Sequence, residues 1–252
     1  MSTGVLANGE LMQYYADKFM DIYCEDKNSR YRSYDYIHSF YLENRSDNSE
    51  ETLDRVALQL FAFLGSWGML CRGAFLMQKD YRFLIPVIKL LNKTDYTELC
   101  NVDLFSVDSE AYIKKVIDLK NKLNYYFIKV TYYNLNGSYR IDKNSKGEEK
   151  KVHDTVIGKI LMATLGCIPA YDEHVVNGMK NEELCATLGK RSLKSLVDYS
   201  CKHKDALEKI MNSVNEKVHI ESSNKELNYP VAKILDMIFW EYGYKVKKGQ
   251  PH

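Results

Sequence analysis

Asp172 has the most chemically pointed setting in the chain, within the run DTVIGKILMATLGCIPAYDEHVVNGMK from Asp154 to Lys180. An apolar helix leads into a Gly-Cys-Ile-Pro-Ala turn, and a second helix opens on Asp172. Pro169 restricts its predecessor and ends the first helix. Asp172 then stands at an N-cap, where its carboxylate accepts backbone N–H groups two or three residues on. A carboxylate held this way is ionised and aimed, which suits it to stabilise a developing cation or to activate a water. The same geometry is equally a plain helix cap that needs no function. Tyr171 and His174 flank it, and His174, two positions on, faces away at helical spacing.

Lys159, on the preceding helix among Ile157, Ile160, Leu161 and Met162, must run its stem close to the core. A desolvated lysine is a candidate nucleophile. The alternatives are snorkelling to solvent or a structural pairing with Asp172.

A second chemically suggestive stretch is GSWGMLCRGAFLMQKDY, residues 65–81. Gly65, Gly68 and Gly73 within one helix each cost roughly 1 kcal/mol relative to alanine, a pattern that records close helix–helix approach. Trp67 offers a ring for stacking. Arg72, in so apolar a setting, needs an anionic partner, either a core carboxylate or a phosphate or substrate group. Gln78 is suited to a base edge or simply to the surface. Lys190 and Arg191 open a helix, where positive charge is mildly unfavourable against the dipole unless a phosphate, or solvent, compensates. With Lys150 and Lys151 they are the candidate phosphate contacts.

The elements that must position these residues are helical. Apolar residues recur at three and four over 8–24, 33–44, 52–77, 82–92 and 109–134. Further helices are expected on either side of the turn before Asp172 and over 181–187, 190–202, 204–218 and 229–243. Only YYFIKVTYY at 125–133 admits a strand instead. The fold class is therefore all-α, with about nine or ten helices. The polar, charged segment 134–151 is the clearest break. It divides a single compact helical domain, 1–252, into lobes 1–135 and 152–252.

Bulk composition agrees with a helical globular chain, at 45% hydrophobic and 27% charged residues. A net charge of +1 argues against a surface coated in nucleic acid. Residues 1–125 nevertheless sum to −3 and 126–252 to +4, which permits a DNA-facing side. Of the 20 tyrosines, seven fall in the first 41 residues. Such density suits a wet cleft or an interface, and lysine- and asparagine-rich codon bias would produce it too. The six cysteines are scattered, without C-x-x-C pairs or a nearby histidine set. That is neither zinc spacing nor a secreted disulfide framework, so free thiols and a cytoplasmic setting are expected. The N-terminus lacks the charged and apolar regions of a signal peptide. No apolar run reaches the roughly 18–20 residues of a membrane span. Gly-rich phosphate loops, H-E-x-x-H, G-x-S-x-G and EF-hand patterns are all missing, so no cofactor and no metal are expected.

The blocks SWGMLCRGAFLMQKDYR and KILMATLGCIPAYD, with the ending YPVAKILDMIFWEYGY, resemble an uncharacterised family of bacterial proteins. More distantly, IPAYDEHVV resembles the catalytic block of helix–hairpin–helix DNA glycosylases, where a proline shortly precedes an Asp followed by x-His-Val. The resemblance implies two helical lobes around a cleft that receives a flipped base, with Asp172 as the essential carboxylate. It implies Lys159 only weakly, because the family's lysine lies further upstream. The family's glycine hairpin has no counterpart here beyond a lone Gly147 in SKGEEKKVHD. The expected activity is recognition or excision of a modified or damaged nucleobase in DNA, in repair or defence. Trp67, Arg72, Tyr171 and Gln78 would contact the base. The alternatives are a non-catalytic interaction protein, such as a homodimer joined through Tyr34 and Tyr36, and a small-ligand sensor.

Overall fold

The computed structural model describes Leu6 and residues 9–71, 75–131, 154–218 and 227–249. Among the described residues the chain is all-α, without a strand. The helices are α1 (Gly9–Glu25), α2 (Ser33–Asn44), α3 (Glu50–Ser66), α4 (Ile85–Leu91), α5 (Ser109–Thr131), α6 (Asp154–Leu165), α7 (Glu173–Asn181), α8 (Lys190–Lys202), α9 (Lys204–Lys217) and α10 (Val231–Lys247). Short 3-10 turns link several of them. No described helix is long and apolar enough to cross a membrane.

The centre is α10. Its residues from Val231 to Gly243 are all buried, which marks a helix packed on every side rather than an amphipathic surface element. It packs against α7, α1 and α9, while α2 packs against α3 and α6, and α5 against α8. The segments before and after residues 134–151 thus share one interior, since α1 lies on α9 and α10 and α6 on α2 and α3.

Several boundaries differ from the sequence expectation for local reasons. The helix expected over 52–77 stops at Ser66. There Gly68 takes φ +74, its N–H bonds Gly65 O at 3.0 Å, and Met69 N–H bonds Leu64 O at 2.9 Å. That pair of bonds is a Schellman stop, which favours glycine at the left-handed position. A Cβ on Gly68 would meet nothing within 4 Å, and one on Gly65 only the Leu70 side chain. These two glycines therefore do not mark a helix crossing, and Gly73 lies outside the described residues. The stretch 181–187 is not helical beyond Asn181, because Glu182 turns inward, where it accepts the Leu6 N–H at 2.8 Å, and Glu183 adopts φ +58. The strand alternative at 125–133 is helix as far as Thr131, and 132–133 lie outside the described residues, as does 134–151.

Candidate functional site

The turn between α6 and α7 places Asp172 as the sequence indicates. With extended backbone (φ −79, ψ 176) it caps α7, Oδ1 accepting the N–H groups of His174 and Val175, each at 3.1 Å. Its other oxygen, Oδ2, accepts from Lys159 Nζ at 2.9 Å. The two side chains are 3% (Lys159) and 14% (Asp172) exposed, so this is a buried ion pair with one edge toward solvent. Burial alone would raise the Asp172 carboxyl. The Lys159 charge and hydrogen bond, with the Val175 N–H, outweigh it and hold the group below the ordinary carboxylate range. Lys159 neither snorkels nor stands free: it is the counter-charge.

Trp67 joins the pair from α3. It closes the C-terminal end of that helix, half-buried, with Nε1 donating to Ser33 Oγ at 3.0 Å. Lys159 Nζ sits 5.0 Å from the centre of its ring, and the Arg30 guanidinium lies at the same distance from it. These are cation–π distances. Three of the expected residues, Asp172, Lys159 and Trp67, therefore meet.

An aromatic wall extends the cluster beyond the residues that the sequence motifs indicate. Trp240 lies 6.1 Å from Trp67 edge-to-face, and Tyr31 lies 5.6 Å from Trp67 and 5.9 Å from Trp240. Tyr244 stacks on Trp240 at 5.5 Å and 8°. His174, expected to face away from Asp172, turns its ring to Trp240 at 5.1 Å. Its Nδ1 is buried without a partner among the described residues, and burial lowers its pKa. The available signal was Trp240 and Tyr244 at i, i+4 on the last helix, which puts both rings on one face.

A second buried pair braces the turn from behind. Asp236 Oδ1 accepts the Ala170 N–H at 2.9 Å, and Lys233 Nζ donates to Asp236 Oδ2 at 3.3 Å. Burial pushes the Asp236 carboxyl up and the Lys233 amine down. The ammonium rests 4.7 Å from the Phe19 ring centre and 4.8 Å from that of Tyr34. Tyr34 is thus a core residue rather than a surface contact, whereas Tyr36 is exposed.

The remaining expected residues are placed differently. Tyr171 is buried, with its hydroxyl 2.7 Å from Ser192 Oγ, so it faces α8 and not a cleft. Its φ of +52 is unusual for a bulky residue. Such strain next to Asp172 is held by the Ser192 contact and by Thr155 Oγ1 donating to Tyr171 O at 3.1 Å. Lys190 and Arg191 are exposed at the start of α8, two residues and one residue before Ser192. Gln78 is exposed on the 3-10 turn Phe75–Gln78, with no hydrogen bond or ring contact to the cluster among the described residues. Arg72, Lys150 and Lys151 lie outside the described residues.

Glu241, next to Trp240, is buried with Oε1 unpartnered among the described residues. Burial pushes its carboxyl up to about 7, against the opposing Lys245 charge and a Tyr31 hydrogen bond. A raised native pKa means that the folded state holds a proton the unfolded state has lost. The stabilisation is complete below the ordinary value of 4.5 and disappears as pH rises through about 7. Relative to wild type, Glu241→Gln should therefore gain about 2–3 kcal/mol as pH rises over this window, measured by urea unfolding of both proteins. A flat difference would contradict the assignment.

No family model, curated protein or solved structure matches the chain.

Proposed function

We propose that the chain recognises or excises a modified or damaged nucleobase in DNA, with Asp172 as the catalytic carboxylate. The observation that carries this reading is the Asp172–Lys159 pair, 2.9 Å apart at the edge of an aromatic wall. Hydrolysis of an N-glycosidic bond breaks C1′–N, the electron pair leaving with the base. Water then adds to C1′ and gives up a proton, while the base nitrogen takes one up. The sugar passes through an oxocarbenium-like state, and a fixed carboxylate stabilises that charge without reorganising. Because the Asp172 carboxyl is held low, it is a weak proton acceptor, and its contribution is electrostatic. Lys159 is a positioning residue that fixes the carboxylate. Trp67 and Tyr244, both only partly buried, would supply ring surface for an extruded base, with Trp240 packed behind them.

Lys190 and Arg191 would contact phosphate, since the Tyr171–Ser192 contact ties the first turn of α8 to the Asp172 turn. Affinity for duplex DNA should then fall steeply with salt, and Arg191→Gln should reduce the logarithmic salt slope by about one. Fluorescence anisotropy across a salt series checks both. Salt-independent binding, or none, would remove the DNA reading.

A further inference from the structure

The aromatic wall carries a cation at each end. Arg30, exposed at the start of the 3-10 turn Arg30–Arg32, lies 5.0 Å from the Trp67 ring centre and 5.8 Å from that of Tyr31. Lys248, exposed at the C-cap of α10, lies 4.4 Å from the Tyr244 ring centre. Trp67, Trp240 and Tyr244 connect the two in steps of 6.1 and 5.5 Å. The rings therefore hold both cations at the rim of the wall. The surrounding charges cancel in pairs. Asp172 is held by Lys159, and Glu173 by Lys247 at 2.8 Å, so both carboxylates at the mouth are neutralised. Lys18 pairs with Asp21, Arg32 donates to Tyr23 O, and Lys245 donates to the Tyr14 hydroxyl. Arg30 and Lys248 have no ion pair among the described residues. What the rim presents to solvent is thus positive, and its complement is a chain of phosphates.

We infer that this rim is the docking track for one strand of DNA, with Arg30 and Lys248 each contacting a phosphate on either side of the nucleotide presented to Asp172. The inference deepens the proposed function and rests on it for the place of that nucleotide. The guanidinium of Arg30 suits a forked contact to phosphate, and the Lys248 ammonium acts as a point charge. Both tryptophans of the chain, Trp67 and Trp240, belong to the wall, so emission reports on a strand that lies across it.

The test titrates the full-length protein with a short fluorescein-labelled oligothymidylate across a salt series, following anisotropy and tryptophan emission. Arg30→Gln and Lys248→Gln, both at exposed positions, are compared with wild type and with Lys122→Gln, an exposed lysine of α5 paired with Asp118. Each rim variant should lower the logarithmic salt slope by roughly 0.7, and the two together by about 1.4, as for phosphate contacts on a single strand. Lys122→Gln should keep the wild-type slope, and saturation should change tryptophan emission. Absence of strand binding, unchanged slopes in both rim variants, or an equal loss in Lys122→Gln would overturn the inference. So would inorganic phosphate that displaces the strand as well as unlabelled oligonucleotide does at matched ionic strength, because the rim would then hold isolated anions. Failure of the rim and failure of the excision reading separate cleanly. Base release by wild type with unchanged slopes would remove the track and leave Asp172 its role. Lowered slopes without release from any duplex would keep the track and remove excision.

Discussion

Asp172→Asn is expected to destabilise the protein by about 3 kcal/mol, well beyond the roughly 1 kcal/mol of a lost helix cap. Asparagine can still accept the N–H groups of His174 and Val175, so the cap itself survives. What it removes is the hydrogen-bonded counter-charge of Lys159, whose side chain is 3% exposed and also lies over the Trp67 ring. A buried ammonium without an anion is costly. The reverse change is milder. Lys159→Met leaves Asp172 with two N–H donors and an edge toward solvent, so about 1–2 kcal/mol is expected. The double variant Lys159→Met/Asp172→Asn removes both charges, keeps the cap and should lie within about 1 kcal/mol of wild type. Urea unfolding of the four proteins forms a double-mutant cycle. Additive losses would show that the two side chains do not interact. The wild-type stability that depends on the low Asp172 pKa is present above the ordinary value of 3.8 and is lost as pH falls below it.

Gly243→Ala should be the most damaging methyl addition among the described glycines, costing about 4 kcal/mol or more. An added Cβ would lie 2.0 Å from His174 O and 2.7 Å from Gly178 N. Both are backbone atoms of α7, so no side-chain rotation relieves the clash and α7 must move away from α10. Gly178 has the reciprocal constraint, since its Cβ would lie 2.2 Å from Phe239 O. The contact reaches the first turn of α7, so the displacement would also move the cap at Asp172. Gly68→Ala is the control: its φ of +74 is unfavourable, but the space is open, and about 1 kcal/mol is expected. Equal thermal shifts for Gly243→Ala and Gly68→Ala would contradict the close crossing of α7 and α10.

Local signals made much of this legible. The helical period located most of the elements, and the Pro-Ala-Tyr-Asp turn identified the N-cap, because capping is decided by residues within one turn. Gly68 and Glu182 show where period alone fails. Apolar residues continue in phase past Ser66, yet a left-handed glycine stops the helix. Past Asn181, a buried carboxylate binding the distant Leu6 N–H ends α7. The glycines that do carry a close crossing, Gly178 and Gly243, sit in unrelated segments with no mutual spacing to read.

The candidate site was half legible for the same reason. Asp172, Lys159 and Trp67 are each conspicuous in their own segment, and Lys159–Asp172 pairing was one of the local alternatives. Tyr31, Trp240 and Tyr244 become neighbours only because α10 runs through the centre of the fold beside α1 and α7. Tyr171 was misleading: adjacency to Asp172 suggested a cleft, but its left-handed backbone sends the ring inward to Ser192.

The central claim, that Asp172 serves nucleobase excision and is more than a helix cap, is tested most directly by base release. Duplexes carrying alkylated, oxidised or deaminated bases are incubated with wild type and with the double variant, which keeps its fold. Free base and alkali-labile abasic sites are then counted. Wild type is expected to release base from at least one duplex, and the double variant to lose roughly 10²–10³-fold of that rate. Release at equal rates by both proteins, or by neither from any duplex, would contradict it.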